Sequence, residues 1–572
     1  MHTLINILSG VALLVWGTHI VRSGVLRVFG ANLRRVLSAS VANRFHAFLA
    51  GLGVTSLVQS SSATAVITAS FVSQRLMPLT PALAIMLGAD VGTSLVVQVF
   101  SFDLSWLAPL LIGIGVVLHL SRKGTRTGQI GRVAIGVGLI LLALQMIMNA
   151  ARPLSEAAGV KIILASISGD PVLDMLVGAV FAIAFWSSLA VVLLTAAFAA
   201  SGLIGLKMAL FLVLGANLGS AILALLATSG TGPSGRRVAL GNICFKLIGC
   251  VITVLLLGSI ENLLTHIDPS PGRIVVNFHL AFNLLLAACL IGFTAPVARL
   301  AERLMPDHPE RDKGVAPKHL DIGALDTPAL ATSNAAREAL RIGDMIESML
   351  VGLLTVIKTQ DARLAVEIRR MDDDVDELYT AIKLYLTQIS REALDEKESR
   401  RWTEIISLTI NLEQIGDIIE NIVEDVASKM IAPRRAFSEA GMAELCEMHA
   451  RLISNLRMGL NVFLNGDLKS AELLLAQKVE FREMGLAFAD SHLHRLAGQS
   501  LQTIETSALH LDIINDFKRI NSHICSIAYP ILEQAGALSR TRLRESVPRE
   551  TATAPVSTPT ATDRNLKKPL DR

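Results

Sequence analysis

Two apolar stretches, residues 44–75 and 171–203, constrain this chain more than anything else in its 572 residues. Each exceeds 30 residues, whereas one helical crossing of a bilayer needs about 20. Each is broken near its middle by serines. In the first, Thr55-Ser56-Leu57-Val58-Gln59-Ser60-Ser61-Ser62-Ala63-Thr64 sets polar and small side chains at mid-membrane depth. Polar groups are not left unpaired in lipid. The spacing therefore predicts two short helices per stretch, joined as a re-entrant hairpin that lines a polar cavity. A small hydrophilic solute is the natural occupant of such a cavity.

Charge divides the chain in two. Residues 1–305 hold 8 acidic and 19 basic residues, a net of +11, and the remainder holds 41 and 33, a net of −8. The two parts are built for different solvents. The expected organisation is a polytopic membrane domain over 1–303, a linker over 304–331, a soluble helical domain over 332–538 and a disordered tail over 539–572. Pro306, Pro309 and Pro317 forbid a continuous helix in the linker. The tail, rich in Thr, Pro, Ala, Arg and Lys, buries too little apolar surface to order itself. Cys244, Cys250, Cys289, Cys446 and Cys525 are scattered and read as packing residues, with no disulfide framework or metal spacing. Residues 3–28 read as a retained first span, not a cleaved signal. Further apolar segments fall at 81–100, 105–120, 131–151, 206–229, 238–260 and 276–300.

Basic residues orient the spans. With the first span running outside to inside and both long stretches folded as hairpins, three clusters fall inside: Arg34, Arg35, Arg44 and Arg75; Arg122, Lys123, Arg126 and Arg132; and Arg236 with Arg237. The soluble domain then lies inside too, while Asp103, Glu261 and Asp268 lie outside. Arg152 and Lys161 fit less well. This topology brings the first hairpin in from the cytoplasm and the second from outside, an inverted repeat. Gly88-Ala89-Asp90-Val91-Gly92-Thr93 recurs 127 residues later as Gly215-Ala216-Asn217-Leu218-Gly219-Ser220. The same offset carries Gln59-Ser60-Ser61-Ser62-Ala63 onto Trp186-Ser187-Ser188-Leu189-Ala190. Inverted repeats with broken helices meeting at the midplane are a transporter architecture.

Hydroxyls and small residues at a helix break suit an oxyanion, because freed backbone N–H groups and the positive end of a half-helix face the ligand. Hydroxyl oxygens and unwound carbonyls also ligate Na⁺. The alternative for Ser60, Ser61 and Ser62 is a helix-packing face. The glycine motifs admit both a packing and a binding role. Lys246 lies inside an apolar segment, where it marks function by default or else snorkels or pairs with a carbonyl. His279 and Asn283, one turn apart, read as polar glue between helices. No nucleophile–base pair stands out in the membrane half, so the chain does not read as an enzyme.

In these motifs, with Asn277-Phe278-His279 and Phe282-Asn283, residues 1–300 resemble the type II sodium/phosphate cotransporters and their bacterial relatives. The resemblance implies Na⁺-coupled movement of inorganic phosphate, with both hairpins forming the site. It points to Gln59, Ser60, Ser61, Ser62, Thr64, Ser187 and Ser188 as phosphate or Na⁺ contacts, with Asp90, Thr93 and Asn217 completing the site. The chain departs from that pattern in its second hairpin, where Trp186 and Leu189 replace a Gln and a Ser. It departs also at Asp90, which stands for an Asn, and at Asn242-Ile243-Cys244-Phe245-Lys246, which stands for His-x-x-Phe-Asn. Asp90 adds a carboxylate that favours a cation, and Lys246 offsets it.

The soluble half reads as antiparallel helical bundles, with Ile418, Ile419, Ile422 and Val423 on one stripe and breaks near Ala432-Pro433 and Asn465-Gly466. Glu413 and Asp417 recur 99 residues later as Asp512 and Asp516. Like charges four apart on a helix repel, and a bridging metal would offset that; a solvated helix face is the alternative. This half resembles PhoU domains, which implies a divalent metal on Glu413, Asp417, Asp512 and Asp516. Asp372-Asp373-Asp374-x-Asp376 reads as a solvated turn or a cap.

The fold class expected is thus all-α: a membrane domain with inverted repeats and two re-entrant hairpins, plus a PhoU-like bundle. The expected function is Na⁺-dependent phosphate transport across a bacterial inner membrane, with a cytoplasmic regulatory domain. The alternatives are export of phosphate or transport of another oxyanion, and a membrane-anchored signalling partner without transport. The partners expected are phosphate, the lipid bilayer and phosphate-signalling proteins, with no nucleic acid; a homo-oligomer stays open.

Overall fold

The computed structural model describes residues 2–122, 125–156, 170–306, 315–325, 327–389, 394–497 and 501–537. Over these residues the chain is helical and has no strand. Lys123, Lys161, part of the linker and the tail lie outside them.

The membrane half consists of α1 (His2–Ala39), α2 (Arg44–Val58), α3 (Ser61–Ser73), α4 (Leu79–Phe100), α5 (Ala108–Ser121), α6 (Arg126–Glu156), α7 (Pro171–Ala184), α8 (Ser188–Ala200), α9 (Leu206–Ala227), α10 (Gly232–Ile267), α11 (Pro271–Leu290) and α12 (Thr294–Leu304). Among the described residues, six helices are long and apolar enough to cross a membrane. Their outer faces carry bare apolar side chains, with Leu255 80 % and Leu285 63 % exposed. Such faces are stable against hydrocarbon and costly in water.

The four hairpin arms, α2, α3, α7 and α8, have only 13 to 15 residues. At 1.5 Å per residue each covers about 20 Å, short of a hydrocarbon core of about 30 Å, so the chain turns back. The turn is made at the expected breaks. Gln59 (φ 59°) and Trp186 (φ 52°) take the left-handed conformation uncommon for residues with a side chain. Each ends one arm, and the serine after it caps the next: Ser60 Oγ accepts from the Ala63 N–H, and Ser187 Oγ from the Ala190 N–H, both at 3.2 Å. This is the usual N-cap geometry, repeated 127 residues on.

The same offset governs the packing. A Cβ on Gly88 would lie 1.9 Å from the Phe48 carbonyl oxygen, and one on Gly215 would lie 2.0 Å from that of Met175. Glycine therefore lets α4 and α9 pack backbone to backbone on α2 and α7. α3 packs on α10 and α8 on α11, which pairs the two halves throughout.

The hairpins open at opposite ends of the bundle. At one end, Arg34 of α1 and Ser70 of α3 both donate to the Asp321 carboxylate, and Arg237 donates to the Met305 carbonyl at 2.8 Å. At the other, Arg273 lies over the Phe102 ring, 5.1 Å from its centroid, and pairs with Asp268 at 3.2 Å. There the end of α8 at Ala200 meets Gly272. The expected span 276–300 is divided: α11 ends at Leu290, and α12 follows after a 3₁₀ turn, burying Val297, Ala298 and Ala301. Arg299, Glu302 and Arg303 confine the apolar surface of α12 to one face.

The soluble half builds its own core, from Ala324 to Leu532. It is made of α13 (Pro328–Thr359), α14 (Ala362–Thr387), α15 (Glu396–Val426), α16 (Glu439–Asn465), α17 (Leu468–Ala497) and α18 (Ser507–Ser526). The stripe Ile418, Ile419, Ile422 and Val423 is buried. α15 ends through a five-residue π turn, Ala427–Ile431, just before Pro433. α16 ends at Gly466, whose φ of 65° is a glycine C-cap. The run Asp372-Asp373-Asp374-x-Asp376 is neither a turn nor a cap but lies inside α14. The apolar series Ile368, Val375, Leu378 and Ile382 continues through it at helical spacing, all buried, and overrides the weak helix propensity of Asp.

Candidate functional site: a cavity between two hairpin tips

The two hairpin tips open on one cavity of about 640 Å³. Gln59, Ser60, Ser61 and Ser62 line it from one side, and Trp186, Ser187, Ser188 and Leu189 from the other. Thr93 of α4 and Ser220 of α9 complete the polar wall. The first turns of α3 and α8 begin here. The first N–H groups of a helix have no acceptor within it, so two positive half-helix ends converge on one space. No carboxylate is found among the described residues lining it. The Gln59 Oε1 is buried with no hydrogen-bond partner, a polar atom available to a ligand.

α1 supplies what the sequence reading missed: Trp16, His19 and Arg22 also line the cavity. Arg22 was detectable, because a cation some twenty residues into an apolar span is itself a functional mark.

Three expected site residues sit behind the wall. Thr64 is fully buried and shares a 2.7 Å hydrogen bond with the Thr55 hydroxyl, tying the hairpin arms together. Asp90 and Asn217 belong to a buried polar network between α4, α9, α10 and α11. In it Lys246 Nζ lies 2.9 Å from Asp90 Oδ1 and donates to Ser220 Oγ at 2.7 Å. Asn283 Nδ2 reaches Ser94 Oγ at 3.0 Å, Asn217 Oδ1 at 3.1 Å and the His279 carbonyl at 2.9 Å. Asn283 is therefore polar glue, and Lys246, 1 % exposed, pairs internally and does not snorkel.

The acidic residues of the soluble half group differently from expectation. Glu413 and Asp417 come together with Asp376, their ligand atoms within 4.8 Å of one another. Asp512 and Asp516 are not in that group: Asp516 accepts from Arg519 at 2.8 Å and Asp512 lies 3.9 Å from Lys429. Cations already lie beside the second pair, whereas Asp376, from another helix, joins Glu413 and Asp417. Beside that group burial, then the Glu420, Asp376, Asp417 and Asp373 charges, push Asp372 up to about 7.

Short broken helices meeting tip to tip at a polar cavity, on a scaffold of long crossing helices, define a membrane transporter of the discontinuous-helix class. Comparison with known proteins shows the family. The Na⁺/Pi-cotransporter family model matches residues 13–149 and 152–289, and the PhoU domain model matches 339–426 and 445–531. YjbB of Salmonella typhimurium, named for inorganic phosphate export, is 51 % identical over 534 residues, covering 93 % of this chain and 98 % of that one. YjbB of Escherichia coli K12 matches to the same extent. YqeW of Bacillus subtilis is 24 % identical over 306 residues, 54 % of this chain and 99 % of its own. The crystal structure of PhoU from Pseudomonas aeruginosa covers 36 % of the chain and 97 % of that structure at 17 % identity, with a TM-score of 0.33. This chain belongs to the Na⁺/Pi-cotransporter family and carries a PhoU domain at its C-terminal side. It is a transporter and not an enzyme.

Proposed function

We propose that the chain moves inorganic phosphate out of the cytoplasm across a bacterial inner membrane, with the PhoU domain on the cytoplasmic side as a regulator. The observation that carries this reading is the convergence of two half-helix N-termini and their serine hydroxyls on one cavity. Gln59, Ser60, Ser61, Ser62, Ser187 and Ser188 hold the anion from both hairpins, with Thr93 beside them. Thr64, Asp90 and Asn217 keep the hairpins and their scaffold in register. Hairpins opening at opposite ends of the bundle support an inverted repeat, in which each hairpin gates the cavity toward its own side.

Two arguments favour outward movement. The 51 % identical relatives are named for export. An anion leaving a negative-inside cell also gains about 2.3 kcal/mol per charge per 100 mV, so export needs no coupled cation. Na⁺-coupled uptake is the second reading, favoured by the family description. Regulation is supported by Asp321: its carboxylate holds Arg34 and Ser70, and its carbonyl accepts from Tyr385 of α14 at 2.7 Å. One linker residue thus joins the first hairpin to the PhoU domain. Asp376, Glu413 and Asp417 offer the oxygen set that a hard divalent cation takes.

Radiolabelled phosphate flux in proteoliposomes decides between these readings, with a K⁺–valinomycin potential and a Na⁺ gradient imposed separately. Flux that follows the potential alone is expected. Uptake that requires inward Na⁺ establishes the second reading. Background flux under both defeats transport and leaves the membrane-anchored signalling role.

A further inference from the structure

The buried pair Asp90–Lys246 has a counterpart in the pair Asn217–Asn283. Asp90 stands 127 positions before Asn217 in the repeated glycine motif, and Asn242-x-x-Phe245-Lys246 on α10 parallels His279-x-x-Phe282-Asn283 on α11. On one half Asn283 Nδ2 meets Asn217 Oδ1 at 3.1 Å, amide to amide. On the other Lys246 Nζ meets Asp90 Oδ1 at 2.9 Å, ammonium to carboxylate. Lys246 and Asp90 are 1 % and 4 % exposed.

The oxygens around the Lys246 nitrogen are of the kind a hard cation takes. A carboxylate oxygen and a hydroxyl oxygen lie 2.9 and 2.7 Å from one point, and the second carboxylate oxygen, Asp90 Oδ2, is buried without a hydrogen-bond partner. Hard cations take such donors. Ser220, which receives the ammonium, also lines the cavity, so the charge lies one hydroxyl behind the transport site. An isolated carboxylate in hydrocarbon carries a large desolvation cost and would recruit a cation from solution if the ammonium were absent.

We propose that the Lys246 ammonium is a tethered cation: it occupies the place between Asp90 and Ser220 that a coupling Na⁺ would otherwise take, so phosphate moves without Na⁺ bound there. The proposal rests on the phosphate-transport reading for its significance but not for its test. A monovalent ion cannot enter beside an ammonium held at hydrogen-bond distance from the same oxygens, because like charges that close repel strongly in a low-dielectric interior.

The test is ²²Na⁺ binding to the purified full-length protein in detergent, without phosphate. Wild type is expected to show no saturable binding. Lys246→Ala is expected to gain stoichiometric, saturable binding, and Asp90→Asn added to it to remove that binding. Lys246→Asn, which installs the amide of the other half, is a second variant with less loss of volume and is expected to behave like Lys246→Ala. Saturable wild-type binding that Asp90→Asn abolishes overturns the proposal. So does a monodisperse Lys246→Ala or Lys246→Asn protein that binds no ²²Na⁺. The wild-type arm needs no variant to fold, and phosphate flux, measured separately, reports on the transport reading alone.

Discussion

Lys246 Nζ lies 2.9 Å from Asp90 Oδ1 where, on the opposite half of the membrane domain, Asn283 Nδ2 lies 3.1 Å from Asn217 Oδ1. An ion pair has been set into one side of a scaffold that holds an amide pair on the other. Breaking such a pair costs far more than replacing both members. Asp90→Asn alone leaves a buried ammonium and is expected to lose about 3–5 kcal/mol. Asp90→Asn with Lys246→Asn should recover most of it. Thermal unfolding of the detergent-solubilised proteins measures both, and a double variant no more stable than the single one removes the equivalence of the two halves.

Ser61 lies in the first turn of α3 at the cavity wall, 6 % exposed. Ser61→Ala is expected to abolish phosphate flux while the protein still reaches the membrane, and Ser188→Ala to lower it strongly from the other side. Unchanged flux in Ser61→Ala would discard the assignment of the first tip. Ser187→Ala removes a helix cap worth about 1 kcal/mol and should lower stability as well.

Gly88→Ala forces a methyl group toward the Phe48 carbonyl, 1.9 Å away in the undistorted fold. Backbone cannot yield as a side-chain end can, so α2 and α4 must separate. The expected cost is about 3 kcal/mol or more, at the upper end for overpacking, with loss of monodisperse protein on gel filtration. An undisturbed Gly88→Ala protein would contradict the backbone-to-backbone packing.

His510 of α18 is buried against His492 and Glu444, its Nε2 3.1 Å from Glu444 Oε2. Burial first, then the His492 charge, lower its pKa to about 4, with Glu444 opposing. The unfolded chain therefore binds the proton first, near 6.5, and the folded one only near 4. Stability is complete above 6.5 and falls as pH drops through that window, by up to about 3 kcal/mol. Urea unfolding of the soluble helices by circular dichroism should show this fall, and His510→Gln should flatten it. An equally steep fall in His510→Gln would place the titration elsewhere.

Tyr385→Phe deletes the hydroxyl that holds the Asp321 carbonyl and touches no cavity residue. If the PhoU domain acts through that bond, the flux should change by on the order of 5-fold, a typical coupling between sites. A flux identical to wild type would reduce the bond to packing.

Much of the membrane fold was legible because its signals are local and repeated. The two long stretches, the serines at their centres and the offset of 127 foretold both hairpins and the register of Gly88 and Gly215. Asp90 and Asn217 were found by motif, but their place behind the wall was not, since it depends on how α10 and α11 cross. Arg22 and His19 escaped because the first span shows no break to draw attention to them. The grouping of the soluble carboxylates was not legible for a different reason: a spacing of 99 places two acidic pairs on two helices, whereas which oxygens come together depends on how the helices pack. Asp376, on a different helix, could not be reached from that spacing.

Asp321 meets its two sides with different chemistry. Toward the hairpin it offers a side chain, which any substitution alters. Toward Tyr385 it offers a main-chain oxygen, which every residue at that position would retain. Mutational drift at position 321 can therefore remove the carboxylate's hold on Arg34 and Ser70 but leaves the main-chain bond to the soluble domain intact. If the soluble domain acts on the first hairpin through Asp321, a lineage can lose that link by substitution at position 321 or at Tyr385 itself.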